Sequence, residues 1–153
     1  MEDLPVVRAA PRIRHIDGAR LASTLRDMVR GYDTSQVLCC FEQVGRFDGK
    51  GVGNAFGFGH SAGVIEGVVT ATGLPYDKLA PAVWRKAMGI GGDPRATLTI
   101  ARQLYPAADL RLIKHAGRAK ALLLARHGWL RQLEAVPRKG ARDSGNVPHS
   151  ALR

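Results

Sequence analysis

The alternation of apolar and polar positions divides this chain into short elements. Leu4–Val7 reads as a brief extended piece, followed by a basic loop to Arg14. Asp17 is placed to cap a helix in which Leu21, Leu25, Met28 and Val29 follow at helical spacing, with Gly31 as its stop. Gln36–Val44 is the strongest strand pattern. Val37, Cys39, Phe41 and Gln43 share one face; Leu38, Cys40, Glu42 and Val44 share the other. Both faces are mostly apolar, as in a strand covered on both sides. A carboxylate at Glu42 therefore stands out, although a position near the strand's end also lets it reach solvent.

The stretch from Gly45 to Gly59 carries six glycines and reads as a loop with Arg46, Phe47, Lys50, Asn54, Phe56 and Phe58. His60–Thr72 then reads as a buried helix bearing Val64, Ile65, Val68 and Val69. Gly59, Gly63 and Gly67 fall four apart and form a smooth stripe open to close approach. Tyr76–Ala80 suits a short strand, and Pro81 opens a short helix with Trp84, Arg85 and Lys86. Asp93-Pro94 is an N-cap followed by an N1 proline, for a helix to about Tyr105. Ala116–His127 is a further helix, closed by Gly128. Trp84 and Trp129 are both expected in the core. Residues 1–134 suit one domain, and 135–153, polar and basic, suit a disordered tail. No internal repeat is evident.

Charge changes the picture most. Lys and Arg number 23 against 13 Asp and Glu, a net charge of +10. The first 44 residues hold six basic and six acidic side chains, so the whole excess lies beyond Glu42. Such a balance favours polyanions, nucleic acid before an anionic membrane surface, though a generally basic proteome would produce it too. The two cysteines, Cys39 and Cys40, are adjacent; on a strand they point apart and do not pair readily. With no C-x-x-C and five scattered histidines, a structural zinc site is not expected. Free thiols suit a reducing cytoplasm. With an acidic start and no early apolar run a leader peptide is not expected, and no apolar run is long enough for a membrane span.

Two phosphate-cradle readings fail. Gly45–Gly51 is one residue short of a Walker A loop and lacks its Ser/Thr. Gly57-Phe58-Gly59-His60-Ser61-Ala62 fits a degenerate dinucleotide pattern but lies too far from its strand. The loop reads better as a nucleic-acid element: Arg46 and Lys50 for phosphates, Phe47 and Phe56 for stacking on bases. The alternative is Phe56 and Phe58 tucked into the core. Arg85 and Lys86, with Arg118 and Lys120, can extend the basic surface, or each is simply a solvated charge.

Several motifs together resemble the RuvC-type Holliday-junction resolvases, especially their phage-like branch. They are Phe41-Glu42-Gln43-Val44, Gly49-Lys50-Gly51-Val52, Ala55–Gly59 with Ala62-Gly63, Leu79–Gly89, and Gly117-Arg118-Ala119 with Ala121–Ala125. The match runs in order from about Asp3 to Gly128. The resemblance implies a three-layer RNase H-like α/β fold, here lacking the family's first two strands, with Asp3–Val7 resembling the third. It implies a cytoplasmic, nucleoid-associated homodimer acting on branched or duplex DNA, with no membrane and no small-molecule substrate. It also implies Mg²⁺ or Mn²⁺ in a two-metal site that cuts four-way junctions.

Glu42 matches the family's second acidic ligand, and so its catalytic and metal position. Arg46, Phe47, Lys50, Asn54, Phe56, His60, Arg85, Lys86 and Arg118 are the DNA-binding candidates. The family's last acidic positions are altered here to His115, Ala116 and Lys120. One carboxylate cannot assemble a two-metal site, and Lys120 repels a divalent ion. The chain is therefore expected to be a resolvase homologue with an incomplete catalytic set, which as given does not cut junctions by the family mechanism; the alternative is a non-catalytic junction or duplex binder. A decayed protein without a DNA role is the third possibility. Docking of the last helix as in the family would set Lys120 against Glu42 as an ion pair.

Overall fold

The computed structural model describes residues 3–10, 13–43, 51–91 and 93–135, with side chains at all of these except 9–10, 13–14 and 51–54. The expected tail beyond Ala135 and the loop positions Arg46, Phe47 and Lys50 lie outside the described residues. Strands β1 (Val6–Ala10) and β2 (Ile13–Ile16) form an antiparallel hairpin. This replaces the expected single extended piece and basic loop. Val6 stands opposite Ile16 and Val7 opposite His15, and only the pairing partner, invisible in Leu4–Val7 alone, reveals the hairpin.

Helix α1 (Gly18–Val29) begins as anticipated, with the Asp17 carboxylate accepting from the Arg20 N–H at 3.0 Å. It ends before Gly31, whose φ of 85° suits a residue without Cβ. Strand β3 (Cys39–Glu42) is shorter than the expected Gln36–Val44. The Asp33 carboxylate accepts from the Ser35 N–H and sets a 3-10 turn over Thr34–Gln36, which takes Gln36 out of the strand.

Helix α2 (Gly51–Ala71) starts well before the expected His60. Much of the stretch read as a glycine loop is therefore helix. The glycines lower helix propensity, but the apolar residues between them pack along α1 and β2, and packing outweighs propensity. The helix is covered on one side: Val69 is 4% exposed and Val64, Ile65 and Val68 are half-buried, whereas Phe56 is 71% exposed. Nothing approaches Gly59, Gly63 or Gly67 within 4 Å of a built Cβ, so the expected close neighbour is absent among the described residues.

Strand β4 (Tyr76–Leu79) pairs parallel with β3, Cys39 opposite Tyr76 and Glu42 opposite Leu79. Helices α3 (Pro81–Ala87) and α4 (Pro94–Leu104) follow as read, α4 with its Asp93 cap and N1 proline. Helix α5 (Ala116–Ala135) runs straight through Gly128. That glycine does not stop the helix; it lets α5 sit on β3.

The molecule is mixed α/β. Asp77 meets Arg131 of α5 on one face of the β3–β4 sheet, at 2.6 Å. On the other face Lys78 forms an ion pair with Glu66 of α2, and Tyr76 stacks on Phe41. The main core lies where β4, α3, α4 and α5 meet: Leu79, Trp84, Ile90, Leu98, Ala101, Leu110, Ala119, Leu123 and Leu124. Trp84 joins it as anticipated, at 1% exposure. Trp129 does not; it is 53% exposed, because it points off the side of α5 that no described element covers. No helix among the described residues is long and apolar enough to cross a membrane.

Candidate functional site

Glu42 ends β3, and β4 leads directly into α3. The parallel pairing therefore brings the first turns of α3 to the Glu42 side chain. Trp84 donates its indole N–H to Glu42 Oε1 at 3.2 Å, and Arg85 donates from Nη2 to the same oxygen at 3.1 Å. The Arg85 guanidinium also lies 5.5 Å from the Trp84 ring centroid, a cation–π arrangement. Both ion-pair partners are half-buried, at 33% and 30% side-chain exposure. The carboxylate thus reaches an amphipathic junction where an indole N–H hydrogen-bonds it and a guanidinium neutralises it.

This arrangement corrects the expected Glu42–Lys120 pair. Lys120 lies on α5, half-buried, and is not within salt-bridge reach of Glu42. Arg85 is nearer because the β4–α3 connection is a single residue, Ala80, which fixes α3 against the strand end. From sequence alone Arg85 is either part of a basic surface or a solvated charge. Its partner could have been anticipated only from the parallel register of β3 and β4.

His115 closes the 3-10 turn Ile113–His115 and is buried at 7% exposure. Its Nδ1 has no hydrogen-bond partner and lies 3.9 Å from Asp109 Oδ1. Ala116 begins α5. Arg118 is drawn into a different network. It donates to both oxygens of Asp3, at 2.7 and 2.9 Å, and to Asp109 at 3.4 Å. Asp3 is held below the usual carboxylate range first by its hydrogen bond from Arg118. Asp109 is lowered first by its hydrogen bond from Arg111. These acids raise Arg118 in turn.

The remaining DNA-binding candidates separate into two places. Lys86 is exposed on α3, beside Arg85. Phe56 and His60 stand one turn apart on α2, rings stacked at 6.3 Å, and His60 also meets His15 of β2 edge-on at 4.9 Å. Asn54 is on α2, but its side chain is outside the described set. Beside Glu42, Cys40 is half-buried, and desolvation, aided by Asp77, pushes its thiol up to about 11. Neither cysteine is paired.

A two-metal centre needs several carboxylates converging on one point. Among the described residues no three His, Cys, Asp or Glu side chains gather to hold an ion. The one carboxylate at the matching position already faces a guanidinium. The described residues do not fit the metal pair that the sequence resemblance implies. No known protein-family model matches the chain, and no curated protein matches it.

Proposed function

We propose that this chain is a RuvC-like, RNase H-fold relative of the junction resolvases that binds branched DNA, as a homodimer in the cytoplasmic nucleoid, without hydrolysing it. The observation that carries the non-hydrolytic part is the Glu42 carboxylate held by Arg85 and Trp84. A guanidinium at 3.1 Å satisfies the charge that a metal would otherwise satisfy, and it opposes a divalent ion entering the same place. The turn before α5 and the first residues of α5 offer His115, Ala116 and Lys120 where acids would be needed.

The DNA-binding part is supported by the net charge of +10, concentrated beyond residue 44. Exposed Lys86 supplies a phosphate contact, and the stacked Phe56 and His60 on α2 supply an aromatic surface for unpaired bases at a branch point. Arg118 contributes less, because two carboxylates already hold it.

The test is fluorescence anisotropy of a labelled four-way junction and a matched duplex, with cleavage followed on the same DNA in Mg²⁺ and Mn²⁺. Tighter binding to the junction, a strong loss of affinity with salt, and intact strands are expected. Paired nicks that disappear in Glu42→Gln would overturn the non-hydrolytic reading. Weak binding with no preference for the junction would favour a protein without a DNA role.

A further inference from the structure

Among the described residues, β3 pairs with β4 along one edge and with no strand along the other. Cys39 and Gln43 donate their backbone N–H groups to Pro75 and Leu79, at 2.8 and 2.9 Å. Main-chain groups of successive strand residues point to opposite edges. Those of Cys40 and Glu42 therefore face away from β4. Such an edge is a template for another strand.

The helix beneath continues past that edge. Gly128 of α5 sits against the Cys40 side chain. Arg131 and Ala125 stand three residues to either side of Gly128, each about 60° around the helix from it and in opposite senses. Arg131 reaches Asp77 on β4. Ala125 therefore turns the other way, under the space beyond β3. Ala121 and Trp129, one turn before and after, share its direction. All three are exposed, so α5 offers an uncovered apolar floor there.

The far side of this space is bounded. Arg118, seven residues before Ala125 and on the same side of α5, clasps Asp3. Asp3 leads into β1, which among the described residues pairs with β2 alone. The hairpin is tethered on the same flank of α5 as the open edge of β3, without pairing to it.

We propose that this flank is a docking groove for a single extended polypeptide strand from another protein. Its main chain pairs with Cys40 and Glu42, and its small apolar side chains, at alternate positions, cover Ala121, Ala125 and Trp129. The hydrogen-bonding edge specifies a strand rather than a helix. A charge of +10 on each copy opposes pairing with the β3–β4 unit of a second copy. The same charge favours a strand with acidic flanks. The proposal is independent of the DNA-binding reading.

The probe is the peptide acetyl-Glu-Val-Ala-Val-Ala-Val-Ala-Glu-amide, with two versions N-methylated at one or the other alternate set of amides. Binding is followed by tryptophan emission, and amide hydrogen exchange is measured on the full chain. The peptide is expected to shift emission to the blue and slow exchange at Cys40 and Glu42 at least tenfold. One N-methylated version should bind at least tenfold more weakly than the other. Ala125→Glu should weaken the parent peptide at least tenfold while the circular dichroism spectrum is unchanged. Slow exchange at Cys40 and Glu42 in the chain alone would overturn the proposal, since its own polypeptide then closes the edge. So would equal binding of all three peptides, no binding, or a dimer in sedimentation that Ala125→Glu dissociates.

Discussion

Gly128 and Cys40 touch where α5 crosses β3. A Cβ on Gly128 would collide with the Cys40 sulfur and come within 3.4 Å of Leu38. The contact is between a helix backbone and a half-buried strand side chain, so neither can retreat freely. Gly128→Ala should destabilise the fold by roughly 1–3 kcal/mol, as overpacking does. Adding Cys40→Ala removes the colliding sulfur and should recover part of that loss. Urea unfolding of the two single variants and the double variant measures it; additive losses would show that the two residues do not press on each other. Local pattern makes Gly128 a helix stop, because a glycine near the end of an apolar repeat usually is one. Its need for close approach depends on a strand 88 positions earlier, which no local pattern contains.

Elements carry the Glu42 junction. β3 supplies the carboxylate, and β4 with its one-residue link sets Trp84 and Arg85 opposite it. Trp84 is otherwise buried in the core, so its indole N–H depends on Glu42 for a partner. Glu42→Gln keeps an oxygen for that N–H and loses the charge for Arg85. Glu42→Leu loses both and leaves a buried donor unpaired. Stability should fall in the order wild type, Gln, Leu, with the Leu variant down by about 1–3 kcal/mol in thermal or urea unfolding. A Leu variant as stable as wild type would mean that the carboxylate contributes nothing to the junction. The same scale explains α2. Its glycines argue against helix one residue at a time, yet the apolar positions between them repeat along α1 and β2. Helix formation there is a property of the pair of elements.

At the scale of the molecule, Asp3 and Arg118 join residues 115 positions apart and hold the hairpin to α5. The Asp3 carboxyl lies below its ordinary value, chiefly because of the Arg118 hydrogen bond. A lowered carboxyl contributes its full share above the ordinary pKa near 4 and loses it as pH falls through the lowered value. Acid below pH ~4 should therefore loosen the hairpin before the α4–α5 core. Hairpin amide resonances followed against pH would show the transition, and Asp3→Asn should remove it. Hairpin resonances that keep their pH response in Asp3→Asn would place the linkage elsewhere.

Local pattern was enough for the caps at Asp17 and Asp93, the Pro81 and Pro94 helix starts, the short strand after Tyr76 and the burial of Trp84. Each depends on neighbours within a few residues or on simple apolar weight. It also isolated Glu42 as a carboxylate on an apolar strand and placed the excess charge beyond it. Tertiary structure alone decided which cation meets Glu42, why Gly128 is glycine, that Trp129 lies in the open, and that Arg118 is bound to Asp3. Those outcomes depend on strand register and on which face of α5 rests on the sheet, and both are set by contacts between segments far apart in the chain.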